Sequence, residues 1–182
     1  MHRPVDLPLV RRIVVGIAMC SATAFGNTYV NRAYGYTVEY PSNWYPQIAE
    51  NVFYVESFPP SDSIRAVGLP NGGAGMKILV PAQTVRSGQT VPRSLEEWIV
   101  LDTAGDAVIG RRSFELERSG TAFRIIDVTI RCCTVLESHL WYFRLADRMF
   151  VAIVTYWEGD PGAEQWMNAL KDLVLSLRLS EP

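Results

Sequence analysis

Gly35-Tyr36-Thr37-Val38-Glu39-Tyr40-Pro41-Ser42-Asn43-Trp44 is a short alternating segment stopped by a proline, a polar turn and a tryptophan. In an extended chain Tyr34, Tyr36, Val38 and Tyr40 share one face, and Pro41 removes a backbone donor and ends the pairing. Downstream, Asn51 to Phe58 and Met76 to Val80 read as further strands, separated by loop-forming runs at Pro59 to Asp62 and Gly68 to Gly75. Phe114 to Arg118 and Ala122 to Arg131 form a hairpin about Ser119-Gly120, and His139 to Leu145 and Met149 to Tyr156 a second about Ala146-Asp147-Arg148.

Two segments carry a helical period instead. Ser94-Leu95-Glu96-Glu97 is a capping box in which the Ser94 hydroxyl accepts from the Glu97 amide and the Glu97 carboxylate reaches back to the Ser94 amide. The helix it starts ends near Gly105. Asp160-Pro161 supplies an N-cap and a first-turn proline for a C-terminal helix in which Ala163, Trp166, Met167, Leu170, Leu173, Val174 and Leu177 recur at helical spacing. Strands in hairpin order with one helix midway and one at the end predict an α+β fold, a central antiparallel sheet flanked by helices.

The chain has 182 residues, 48% of them hydrophobic and 20% charged, which suits one domain with a substantial core. Its first two dozen residues differ from the rest. His2, Arg3, Arg11 and Arg12 form a basic start, Ile13 to Met19 an apolar run, and Ala22-Thr23-Ala24 a small-x-small cleavage pattern. We expect a signal peptide over residues 1–24, cleaved after Ala24, and a single domain over residues 27–179 in the periplasm or outside the cell. The apolar run is too short to span a membrane, and Met19 before Cys20 is too large for a lipid-attachment site. Cleavage lowers Lys plus Arg from 17 to 14 and Asp plus Glu from 19 to 18, leaving a formal charge of −4. Without a basic cluster, neither nucleic acid nor an anionic membrane surface is an expected partner.

Gly35 to Trp44 resembles the glycine-aromatic-strand-Pro-Ser-x-Trp opening of the PsbP-like proteins, a superfamily that includes the extrinsic photosystem II subunit and small Ran-binding nucleotide-release factors. The Ser119-Gly120 hairpin, the following meander and the final helix running into Leu175 to Leu179 occur in matching order. The resemblance implies an α/β/α sandwich and a non-enzymatic binding or accessory role. It transfers no partner. The nuclear and cytosolic Ran-binding branch conflicts with a signal peptide. The photosystem branch has a basic N-terminal region and several histidines, whereas the processed chain here keeps only His139. Bacterial envelope members fit best.

Candidate chemistry is sparse. Ser138 and His139 are neighbours on a strand and point to opposite faces, so they make no nucleophile-base pair with each other. His139 shares its face with Trp141, Phe143 and Leu145, and reads as structural; no G-x-S-x-G elbow is present. Cys132-Cys133 in an exported chain admits three readings. These are two separately covered thiols, a strained vicinal disulfide, or a metal site with His139. Gly68 to Gly75 lacks the phosphate-loop pattern, and Glu115 and Glu117 alternate with Phe114 and Leu116 as a solvent face.

Of five tryptophans, Trp98, Trp141 and Trp166 fall on apolar faces, while Trp44 and Trp157 end strands and form a candidate binding rim. The sequence therefore predicts an exported binding or accessory protein, not an enzyme, without a cofactor, whose partner is a protein or small ligand. The alternative is a thiol-dependent redox or metal-handling protein using Cys132 and Cys133.

Overall fold

The computed structural model describes residues 25–49, 51–60, 68–85, 88–132 and 135–180. The expected signal peptide lies outside them, as does Cys133. The strands are β1 (Phe25–Asn31), β2 (Tyr36–Pro41), β3 (Tyr45–Ala49), β4 (Val52–Glu56), β5 (Gly75–Leu79), β6 (Ala107–Arg118), β7 (Thr121–Cys132), β8 (Leu136–Leu145), β9 (Arg148–Trp157) and β10 (Arg178–Leu179). Two α-helices join them among the described residues, α1 (Leu95–Asp102) and α2 (Ala163–Ser176).

All the pairings are antiparallel and build two sheets, β1-β2-β10 and β3-β4-β5-β9-β8-β7-β6. The expected α+β class with antiparallel sheets is what forms. Strand alternation divides the apolar residues between two clusters. Trp166, Leu170, Leu173 and Val174 of α2 pack with Tyr36, Val38, Phe53, Met76, Trp141, Phe143 and Phe150. Trp98 and Ile99 of α1 pack with Ile126, Val128, Leu140, Tyr142, Val151 and Ile153. In β8 the odd positions Trp141 and Phe143 join the first cluster and the even positions Leu140 and Tyr142 the second, so both faces of this strand are covered.

Local chemistry sets the turns. Ser119 and Gly120 have φ of 51° and 76°, the double positive φ of the tight hairpin turn that matches strand twist. Gly35 enters β2 with φ 57°. A Cβ there would come within 2.8 Å of Arg148 Nη1, and that atom donates to the Tyr34 and Gly35 carbonyls at 3.0 Å each.

Several expectations change. The Ser94 hydroxyl does accept from the Glu97 amide at 3.0 Å, but the Glu97 carboxylate accepts from the Arg93 amide at 2.7 Å, one residue before the expected partner. Asp160-Pro161 forms the turn ahead of α2 instead of its first residues. Gly162 is the N-cap, and Asp160 Oδ1 accepts from its amide at 2.6 Å. β6 begins at Ala107, earlier than Phe114, because its first half is exposed and bulged at Val108 to Gly110 and so carries no alternating pattern.

Candidate functional site

The first place where polar groups converge is the middle of the large sheet. Strand register sets Arg112 opposite Asp127, Thr129 opposite His139 and Glu137 opposite Tyr156. All lie on the face that belongs to the α2 cluster. Asp127 is fully buried, which demands partners for its carboxylate. Arg112 Nε donates to Asp127 Oδ2 at 2.9 Å, and His139 Nδ1 lies 3.1 Å from Oδ1. On the far side of the ring, His139 Nε2 is 2.9 Å from Glu137 Oε1, which also accepts from the Tyr156 hydroxyl at 3.2 Å.

Burial alone would lower the His139 pKa, but hydrogen bonds and charge from Asp127 and then Glu137 outweigh it, and the imidazole is held above its ordinary value. Protonated, the ring donates from both nitrogens and completes an alternating row of cation, anion, cation and anion from Arg112 to Glu137. The same Glu137 carboxylate and burial push the Tyr156 hydroxyl upward, with burial the larger cause. The row is a cross-strand tie. Ser138 points to the other face and bonds Thr155 at 2.7 Å; the hydroxyl that does reach the imidazole is Thr129 Oγ1, 3.3 Å from the same Nδ1 that Asp127 engages. The carboxylates flank the ring on opposite sides and do not converge, and no group of metal ligands forms among the described residues.

The second place is a groove of about 550 Å³ at the end of the sheet where the β6–β7 and β8–β9 turns meet β10. Arg118 and Arg178 line it, with Phe123, Leu145 and Leu179 supplying apolar wall, and Arg144 borders it from an even position of β8, the α1 side of the sheet. Arg118 donates to the Leu177 carbonyl at the end of α2. One nitrogen of Arg178 donates to the carbonyls of Leu175 at 2.9 Å and Ser176 at 2.7 Å. Arg144 donates to Arg93 O at 3.2 Å and to Asp147 O at 3.4 Å. None of the three pairs with a carboxylate among the described residues. Burial first, and the neighbouring Arg178 charge second, lower the Arg118 pKa. A smaller hollow of about 480 Å³, lined by Arg32, Tyr34, Val80 and Arg148, flanks the other side of the β8–β9 turn.

The sequence-derived rim does not assemble as expected. Trp44 is 4% exposed and packs edge-on against Trp166 with ring centroids 5.8 Å apart, which makes it core. Trp157 is half-buried, and its indole donates to Leu69 O at 2.7 Å. Cys132 ends β7 opposite Leu136, and its pair with Cys133 lies outside the described residues. The groove itself was missed. Its lining residues stand far apart in sequence, and Arg178 and Leu179 reach it only through the return of β10 beside β2.

No known family model matches the chain, and no curated protein matches it. Among solved structures it is similar to a Bacteroides thetaiotaomicron protein at 15% identity and a TM-score of 0.41, covering 87% of this chain but only 50% of that one, so this chain spans about half its length. A Pseudomonas aeruginosa protein of unknown function, described as a putative regulator, is 14% identical over 86% of this chain and 99% of its own, with a TM-score of 0.42. The solved structures similar to this chain also include cyanobacterial PsbP from Synechocystis, 9% identical over 91% of this chain and 98% of that one at a TM-score of 0.41.

Proposed function

We propose that the chain is an exported, non-enzymatic accessory protein that binds a partner or small ligand, and that the groove between the two hairpin turns is where it does so. The observation that carries this reading is the groove's make-up: Arg118 and Arg178, neither with a carboxylate partner among the described residues, beside the apolar wall of Phe123, Leu145 and Leu179. The sheet-centre row supports the non-enzymatic part, because both ring nitrogens of His139 are engaged by carboxylates, Nδ1 by Asp127 at a shorter distance than the Thr129 hydroxyl and Nε2 by Glu137. Helices on opposite faces of the large sheet support the finer α/β/α description.

Binding is tested by incubating the chain with total extract of the producing cells, re-isolating it and weighing it by native mass spectrometry. We expect a bound component that denaturation releases unchanged. A chain that returns empty, or one that converts extract components at substoichiometric amounts, overturns the reading. Export is tested separately by the mass of the secreted form, expected to begin at Phe25; retention in the cytosol with residues 1–24 attached defeats that half.

A further inference from the structure

We propose that the free edge of β6 binds a second copy of this chain, edge to edge and antiparallel, joining two seven-stranded sheets across a twofold axis at Ser113. This goes beyond the groove and does not depend on it. The large sheet ends on β3 at one side and β6 at the other, and the two edges are built differently. β3 has five residues and contains Pro46, a short strand with a missing donor, which is how natural edges are blunted. β6 has twelve residues and no proline. Its bulge at Val108 to Gly110 disturbs only the start, and Arg111 to Arg118 keeps a regular register with β7. No described strand pairs with its other side.

Backbone geometry sets what that edge offers. The two-residue turn at Ser119-Gly120 makes Arg118 and Thr121 the closing hydrogen-bonded pair, and such pairs alternate along an antiparallel ladder. Even positions of β6 therefore bond β7, while Arg111, Ser113, Glu115 and Glu117 turn their N–H and C=O groups outward. An edge of this kind is a template for strand addition.

Charge selects the occupant. Arg111, Glu115 and Glu117 are exposed and share the α1 side of the sheet, where Arg111 and Ser113 stand opposite Val128 and Ile126. None of the three forms an ion pair among the described residues. Arg124, opposite Glu115, donates to Ser113 Oγ at 3.4 Å instead. Edge charges often serve only to repel other strands. A row of one sign would repel in every register, but this row is positive at one end and negative at the other. With Ser113 on the axis, Arg111 stands opposite Glu115 of the partner subunit, and Glu115 opposite Arg111 of the partner subunit, two opposite-charge pairs at cross-strand distance. A parallel pairing in register would set like on like. The outward pairs centred on Ser113 supply about six main-chain hydrogen bonds, at two per pair. A foreign strand could make those bonds too, but the two charge pairs match this chain's own sequence.

Sedimentation velocity of the full chain over a concentration series tests this. We expect a monomer–dimer equilibrium that is mostly dimer at about 0.1 mM. Arg111→Glu, which sets acid against acid twice, should weaken it at least about tenfold, and Glu115→Arg likewise. Arg111→Glu with Glu115→Arg reverses both pairs together and should return the dimer to within about threefold of wild type. Ser113→Pro removes an outward donor and spares the bonds to β7, so it should abolish the dimer. Lys171→Glu, the same charge change at an exposed site on α2, should change nothing.

A chain still monomeric at about 0.1 mM overturns the proposal. So does a dimer that Ser113→Pro leaves intact, or a charge-swapped double variant no tighter than either single one. Should Ser113→Pro misfold, the Arg111 and Glu115 series decides by itself, because both side chains are exposed and unpaired by charge among the described residues. A dimer doubles the mass and a groove ligand adds only a small increment, so the loss of one leaves the other standing.

Discussion

Arg112 and Arg118 lie on the same strand and the same face of β6, six positions apart, and the protein uses them in opposite ways. Arg112 has a side chain 65% exposed, yet it meets the fully buried Asp127 at 2.9 Å. Arg118 is half-buried and meets only a backbone carbonyl, with Arg178 as a like-charged neighbour. One cation completes a buried anion; the other leaves its charge facing a hollow. The difference teaches that the location of the counter-charge, more than exposure of the arginine, decides whether a guanidinium is structural or available.

The largest effect that could break this contrast is at Asp127. Asp127→Ala removes the shared anion of Arg112 and His139 and should cost about 3 kcal/mol in urea unfolding, within the range for losing one member of a buried pair. A loss below about 1 kcal/mol would mean that the sheet-centre row is not structural, and the two arginines would no longer differ in kind.

His139 sharpens the comparison through pH. Its native pKa is raised above the unfolded value, so its stabilising contribution is complete below about pH 6.5 and is lost as pH rises through the raised native pKa. Urea midpoints between acidic and alkaline pH should therefore fall over this window in the wild type and lose that component in His139→Gln. An unchanged profile in the variant would place the titration elsewhere.

Smaller still is Arg112→Gln. Exposure screens the guanidinium, and His139 still faces Asp127, so the cost should stay under about 1 kcal/mol. At the bottom of the series, Arg144→Gln should leave urea stability within about 0.5 kcal/mol of wild type, since it pairs with no carboxylate among the described residues. A clear loss of stability at Arg144 would make the arginines that bond only carbonyls part of the scaffold and erase the distinction.

What could be read in the sequence follows from what is local. Alternation in Tyr36 to Tyr40 and in the two long hairpins located β2, β7, β8 and β9, and helical spacing located α2. The capping serine at 94 marked the start of α1. β1 was hidden against the expected signal-peptide boundary, and β3 by Pro46 in a five-residue strand. The Asp127 and His139 pair depends on β7–β8 register, which a one-residue slip would reverse. The groove lined by Arg118 and Arg178 depends on the turn ends of two hairpins and on where a two-residue strand docks, information no window of the sequence contains. Trp44 misled for the opposite reason: its strand-end position suggested a rim, while Trp166 from the far end of the chain covers it.

Gly35, the first residue of the stretch that announced the fold, has a mechanical consequence. Its carbonyl accepts from Arg148 on β9 and, at 2.9 Å, from the Ser180 amide just past β10. The missing side chain is the space in which the Arg148 guanidinium sits. One glycine thus rivets the small sheet to the large one and to Ser180 just past β10. Gly35→Ala would add a misplaced methyl and a disfavoured φ together, pulling out a fastener that three distant segments share.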